Sequence, residues 1–298
     1  MNASLPETPA IPSEAPAPKS SGWSLRLRIA SGLLFVPLLI LLARAGGLAF
    51  TTFVALHNIL GLREFFRMMR AKRLEPNVIL GTVAGALMPF VCYRPRWVPG
   101  DLLVTGLVML VLALALRRPN RERLVESMAV TLFGLLYVGW LASHLVLLRE
   151  LPWIAGVGYS SGWRFVLLAF FITWSCDTGA YTFGRIFGRT RPWSQISPRK
   201  SLEGSIGGLG TAILAAFIAR AWFARELRAW DAAALGILVG VFAQVGDLVE
   251  SLLKRDSAHG DSSDFIPGHG GILDRFDSLY FAAPVTYYYL KVVVFGVP

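Results

Sequence analysis

Long apolar runs alternate with short charged or glycine-rich segments along the whole chain, and this alternation predicts an all-α, polytopic membrane protein. Stretches near the roughly 20 apolar residues that cross a bilayer place helices near 29–45, 46–62, 78–93 and 101–116, then near 127–147, 163–181, 205–223, 230–250 and 277–296. That is about nine transmembrane helices. The first two are separated only by a short segment in which Gly46 and Gly47 signal a turn. Residues 1–22 are rich in proline, alanine and serine without apolar periodicity, and read as a disordered tail. They lack the basic and short apolar regions of a cleaved signal peptide. The remainder divides into N-terminal membrane helices, 23–150, and a C-terminal region, 151–298, that carries most of the candidate chemistry.

Composition agrees with this pattern: 54% of the 298 residues are hydrophobic, 16% are charged, and the mean hydropathy is +0.55. A soluble domain with a solvated surface does not carry that balance. The formal charge of +10 does not point to nucleic acid, because the basic residues fall in short clusters between apolar runs. With the N-terminus inside, the inner segments hold 20 of the 29 Lys and Arg residues, the bias expected of cytoplasmic loops. The polar loops 177–204 and 251–276 then share the cytoplasmic face. Cys92 and Cys176 both lie in apolar runs and read as packing residues, as do His57 and His144, each with a hydrogen-bond partner. Glu64 is expected to pair locally with Arg63 or Arg67.

Four polar constellations interrupt the C-terminal runs. Asp177, near the end of one span, either faces a polar cavity or pairs with Arg185 at the interface, since an aspartate at lipid depth costs about 2.5 to 3.5 kcal/mol. Ser197, Arg199, Lys200, Ser201 and Glu203 precede a glycine-rich helix start; they suit anionic oxygens, or they cap the helix beside ordinary inside-positive residues. Asp247, Glu250 and Lys254 fall at i, i+3 and i+7 on one helix face, either as part of a site or as a self-neutralised ladder. Asp274 and Asp277 are also three apart, and the bland reading makes them the N-cap and N3 acids of the last helix. That reading leaves His269 among Gly268, Gly270 and Gly271 unexplained, and Arg275 with it. Gathering Asp247, Asp274 and Asp277 is costly without a cation, because two carboxylates 4 Å apart repel by about 4 kcal/mol at an effective dielectric near 20. A hard divalent ion removes the conflict, so the joint reading is metal-assisted phosphoryl or nucleotidyl transfer at the cytoplasmic surface.

The run SLLKRDSAHGDSSDFIPGHGGILDRFDS, with DTGAY, ISPRKSLEG and QVGDLVES upstream in the same order, resembles the signature of the phosphatidate cytidylyltransferases, also called CDP-diacylglycerol synthases. These motifs cover about the last 125 residues, while the N-terminal half matches only in hydropathy and span count. The resemblance implies cytidylyl transfer from CTP to phosphatidic acid at a bilayer surface, in a bacterial inner membrane, with Mg²⁺ and a second cation as an option, and a homodimer left open. It implies Asp247 and Asp274 as metal ligands, with Asp277 binding or orienting a second ion. Lys254, His269 and Arg275 fall on catalytic motif positions, and Asp177, Ser197, Lys200, Arg255, Gly270 and Gly271 on substrate-binding ones. Two positions depart from the pattern: Gly260 stands where the family has a lysine before the aspartate matched by Asp261, and Leu202 stands where an aromatic residue is common. Loss of that cation weakens the expected hold on a triphosphate, for which the adjacent His259 is a poorer full-time charge. The competing readings are a CTP-dependent enzyme acting on another lipid phosphate and, from a different class, a membrane transporter or scaffold.

Overall fold

The computed structural model describes residues 22–94, 99–117, 122–257 and 271–297. Among them the regular structure is all helix: α1 (Gly22–Ala45), α2 (Gly47–Ala71), α3 (Val78–Tyr93), α4 (Gly100–Ala115), α5 (Leu124–Gly134), α6 (Leu141–Ile154), α7 (Gly162–Phe187), α8 (Leu202–Trp222), α9 (Ala229–Asp256) and α10 (Leu273–Tyr289). A π-helical stretch, Leu135–Trp140, joins α5 to α6, and another, Leu290–Val294, prolongs α10. The described residues therefore form nine rods, in the order that the apolar runs predict. Four of these, Leu124–Ile154, α7, α8 and α9, are long and apolar enough by themselves to cross a membrane. The 16-residue α3 and α4 extend only about 24 Å at 1.5 Å per residue, short of the roughly 30 Å apolar core of a bilayer.

The turn at the first helix break occurs where the glycines require it. Gly46 and Gly47 have φ of 60° and 53°, a left-handed backbone that side chains with a Cβ resist. The π stretch is satisfied rather than frayed: the Gly139 carbonyl accepts from Asn58 Nδ2 at 3.1 Å and from Ser143 Oγ at 2.6 Å. A buried backbone oxygen shifted out of the regular ladder needs such donors in a water-free interior.

Differences from the predicted limits lie at the polar ends. Helix α7 runs on to Phe187, so Asp177 sits within the helix rather than at its end. Helix α9 runs to Asp256, which puts Lys254 and Arg255 on the helix instead of in a loop. Helix α10 begins at Leu273 rather than near 277. In each case the extra turns are polar and hydrophobicity does not reveal them.

Helices α7, α8, α9 and α10 pack through small residues, which is how apolar helices approach one another without a solvent to expel. Ala212, Ala215, Ala216 and Ala219 make the buried face of α8. At Gly246 of α9 an added Cβ would lie 2.5 Å from the Asp277 carbonyl, so α9 and α10 touch backbone to backbone beside the acids. Both histidines are packing residues with hydrogen bonds, as the sequence suggests: His57 Nε2 shares one with Tyr280 Oη at 3.1 Å, and His144 Nδ1 one with the Trp140 carbonyl at 3.0 Å. Cys92 and Cys176 are buried free thiols.

Candidate active site at the polar ends of α7, α9 and α10

Backbone contact at Gly246 fixes the register in which α9 and α10 present their acids. Asp247 follows Gly246 directly, and Asp277, whose carbonyl meets that glycine, faces it from α10. Asp247 lies within electrostatic reach of both Asp177 of α7 and Asp277, so three helices turn one carboxylate each toward the same polar end of the bundle. Ser278 ties two of them, donating its hydroxyl to Asp177 Oδ1 at 3.4 Å and its amide to Asp277 Oδ1 at 2.6 Å. Among the described residues the positive charge beside them is Lys200, whose Nζ lies 2.7 Å from Asp247 Oδ2. Asp177 has no ion pair with Arg185 among the described residues; eight residues of helix hold the two about 12 Å apart along the axis.

One turn toward the polar end lies a second group. Lys254 Nζ pairs with Glu250 Oε1 at 3.0 Å and also with Asp274 Oδ1 across on α10. Glu250 is 5% exposed. The stripe Asp247, Glu250, Lys254 is thus only partly a self-neutralised ladder: Lys254 does meet Glu250, yet it bridges to α10 as well, and Asp247 is partnered from a different segment.

The loop between α7 and α8 delivers Lys200. Ser201 caps α8, accepting from the Gly204 amide at 3.1 Å, as the bland reading of that motif expects. Glu203, in the first turn, reaches back to accept from the Arg189 and Thr190 amides, each at 3.1 Å. Ser197 sits in a turn, its amide donating to Trp193 O at 2.7 Å and its carbonyl accepting from Lys200 N at 3.2 Å. Arg255 of α9 donates to the Ile196 carbonyl and pins the loop against the helix end. Of the remaining predicted residues, Arg275 is exposed on the first turn of α10 and Gly271 is buried just ahead of it. His259, Gly260, Asp261, His269 and Gly270 lie outside the described residues, as does the tail up to residue 21.

The predicted acids fall into two groups. Asp247 and Asp277 stand together with Asp177, whereas Asp274 stands with Glu250 and Lys254. Among the described residues no three metal-binding side chains converge as in an all-protein cage. Carboxylate oxygens are nonetheless the donors a hard divalent cation takes, and five carboxylates here share Lys200 and Lys254. Mg²⁺ commonly uses one or two carboxylates and completes its shell with water and substrate phosphates, so the donor set suits it.

Asp274 is not an N-cap. The cap position is Ile272, which has no side-chain acceptor, and Asp274 and Asp277 are the second and fifth residues of the helix. The acceptor is Glu64 of α2, 5% exposed, whose Oε2 takes the Ile272 amide at 2.8 Å and the Leu273 amide at 3.2 Å. Sequence reasoning gave Glu64 a local arginine partner. Its inward direction was readable from its place among the buried His57, Gly61 and Met68, at spacings of four, three and four along α2.

Carboxylates and lysines gathered at the polar ends of apolar helices are groups suited to phosphoryl or nucleotidyl transfer beside a bilayer. The chain's kinship is more specific. Residues 26–293 match the cytidylyltransferase family, and the chain belongs to that family of nucleotidyltransferases. It is 35% identical over 289 residues to a phosphatidate cytidylyltransferase of Synechocystis, covering 90% of this chain and 97% of that one. It is 33% identical over 256 residues to a phosphatidate cytidylyltransferase of Staphylococcus epidermidis and 31% over 255 to one of Staphylococcus aureus; each alignment covers 85% of this chain and 92% of the relative.

Proposed function

We propose that the protein transfers the cytidylyl group of CTP to phosphatidic acid, giving CDP-diacylglycerol and pyrophosphate. The observation that carries this reading is the Lys200–Asp247 ion pair at the polar end of a lipid-embedded bundle, with Asp277 held beside it by the backbone contact at Gly246 and linked to Asp177 through Ser278, in a chain of the cytidylyltransferase family. An oxygen of the lipid phosphomonoester attacks the α-phosphorus of CTP; the new P–O bond forms as the bridge to the β-phosphorus breaks, and pyrophosphate leaves with the electron pair. The ionised phosphate is already a nucleophile, so the protein supplies position and electrostatics rather than a strong base. Lys200 and Lys254, held by carboxylate partners, would pass to phosphate oxygens when substrates enter. Asp247, Asp274 and Asp277 would hold Mg²⁺, which when bound draws negative charge off the phosphates. CTP reaches the site from the cytoplasm and phosphatidic acid from the surrounding lipid, in a bacterial inner membrane; the distribution of 20 of 29 basic residues supports that orientation.

The test is purified full-length protein with labelled CTP and a panel of lipid phosphates, each in Mg²⁺ and in chelator. Labelled CDP-diacylglycerol formed from phosphatidic acid in Mg²⁺ alone is expected. Turnover of a different lipid phosphate only, or equal turnover in chelator, would overturn the lipid or the metal assignment respectively.

A further inference from the structure

Among the described residues, the segment entering α10 offers no side chain able to cap it. Gly271, Ile272 and Leu273 carry no side-chain acceptor, and the cap position lacks a side-chain hydrogen bond, so the first amides of the helix need an acceptor from elsewhere. Glu64 provides it from 208 residues upstream, with both bonds from one oxygen. Two further contacts hold α2 against α10 along the same face: His57 meets Tyr280 Oη at 3.1 Å, and at Gly61 an added Cβ would lie 3.2 Å from Tyr280 Oη and 3.6 Å from Leu273 Cδ2. Helix α10 is thereby fixed on one side by α2 and on the other by Gly246 and Lys254 of α9. The turn so clamped carries Asp274, with Asp277 directly after it.

We propose that Glu64 is a positioning residue for the transfer reaction: by capping α10 it sets the height and rotation at which Asp274 and Asp277 meet the phosphates. The proposal rests on the cytidylyl-transfer reading and assigns a catalytic duty to the N-terminal helices, which otherwise read as membrane scaffold. Glu64 acts through backbone amides and touches no substrate. A carbonyl oxygen at the same place therefore serves almost as well as a carboxylate, and a shorter side chain does not.

Glu64→Gln, Glu64→Asp and Glu64→Ala separate these requirements. In full-length protein, Glu64→Gln is expected to keep kcat within about threefold of wild type, while Glu64→Asp and Glu64→Ala lose at least about tenfold in kcat with the KM for CTP little changed. Hydrogen exchange of the Ile272 and Leu273 amides, measured without turnover, is expected to be slow in wild type and Glu64→Gln and fast in the other two. Wild-type kcat in Glu64→Asp or Glu64→Ala overturns the proposal, and so does a Glu64→Gln protein as inactive as Glu64→Ala, which would make the charge itself essential. Should Glu64→Ala fail to fold, the Gln and Asp variants decide the matter alone. A wild type inactive towards CTP with every lipid phosphate would instead sink the functional reading, and the amide exchange would still accept or reject the cap.

Discussion

Two clusters of charge lie within this bundle, one at each end of α7, and they are built on opposite terms. At the end near Tyr159, Arg149 is 2% exposed and donates to three backbone carbonyls: Ala43 at 2.5 Å, Tyr159 at 3.0 Å and Arg44 at 3.3 Å. Its neighbour Glu150 accepts from Tyr159 Oη at 2.7 Å and lies 3.7 Å from Arg94. Burial and the bond to Glu150 push the Tyr159 hydroxyl up to about 12, so it stays a donor. Arg149 closes a helix end and a turn, and Glu150 is met by a hydroxyl and a cation. At the other end of α7, Asp177, Asp247 and Asp277 outnumber Lys200, the cluster is more open, and the partners come from separate helices. Buried charge in a membrane protein is costly in either case; what sets the second cluster apart is that, among the described residues, its acids exceed the cation beside them, an excess the proposed function assigns to a ligand.

That contrast can be broken by substitution. The largest expected effect within the lysines is Lys200→Ala, which removes the cation beside Asp247: kcat/KM for CTP should fall about 100-fold, read from initial rates with labelled CTP. Gly246→Ala should come next, since its Cβ would press on the Asp277 carbonyl and part α9 from α10; a loss of about tenfold in kcat at unchanged folded yield is expected from misplacement of the acids. Gly260→Lys supplies the charge that the resemblance implies at that position and should lower the KM for CTP about threefold, the worth of one weak ionic contact. Arg149→Ala should leave kcat unchanged, yet cost about 3 kcal/mol of stability by stranding the buried carbonyls it serves, visible as a lowered melting temperature. A large kcat loss in Arg149→Ala, or an unchanged kcat/KM for CTP in Lys200→Ala, would erase the distinction between the two ends.

The helical order, the turn at Gly46 and the motif residues were legible because each depends on neighbours in the chain. Apolar run length predicts a rod, glycine predicts a left-handed turn, and Ser201 three residues before Gly204 predicts a cap. What stayed hidden depends on partners far away in sequence. Lys254 meets Glu250 one turn back, as spacing suggests, but its bridge to Asp274 needs α9 and α10 side by side. The regrouping of Asp277 with Asp177 follows from the contact at Gly246, and Glu64 caps a helix 208 residues on. The polar extensions of α7 and α9 also escaped, since hydropathy ends a span where the lipid ends and not where the helix does.

The central claim is that the acids at the start of α10 carry the chemistry. Its most direct test is the rate of CDP-diacylglycerol formation from labelled CTP and phosphatidic acid in Mg²⁺ by full-length Asp274→Asn beside wild type, with membrane-inserted yield measured on the same samples. The account predicts no product above background from Asp274→Asn at wild-type yield. Full activity in that variant would contradict it.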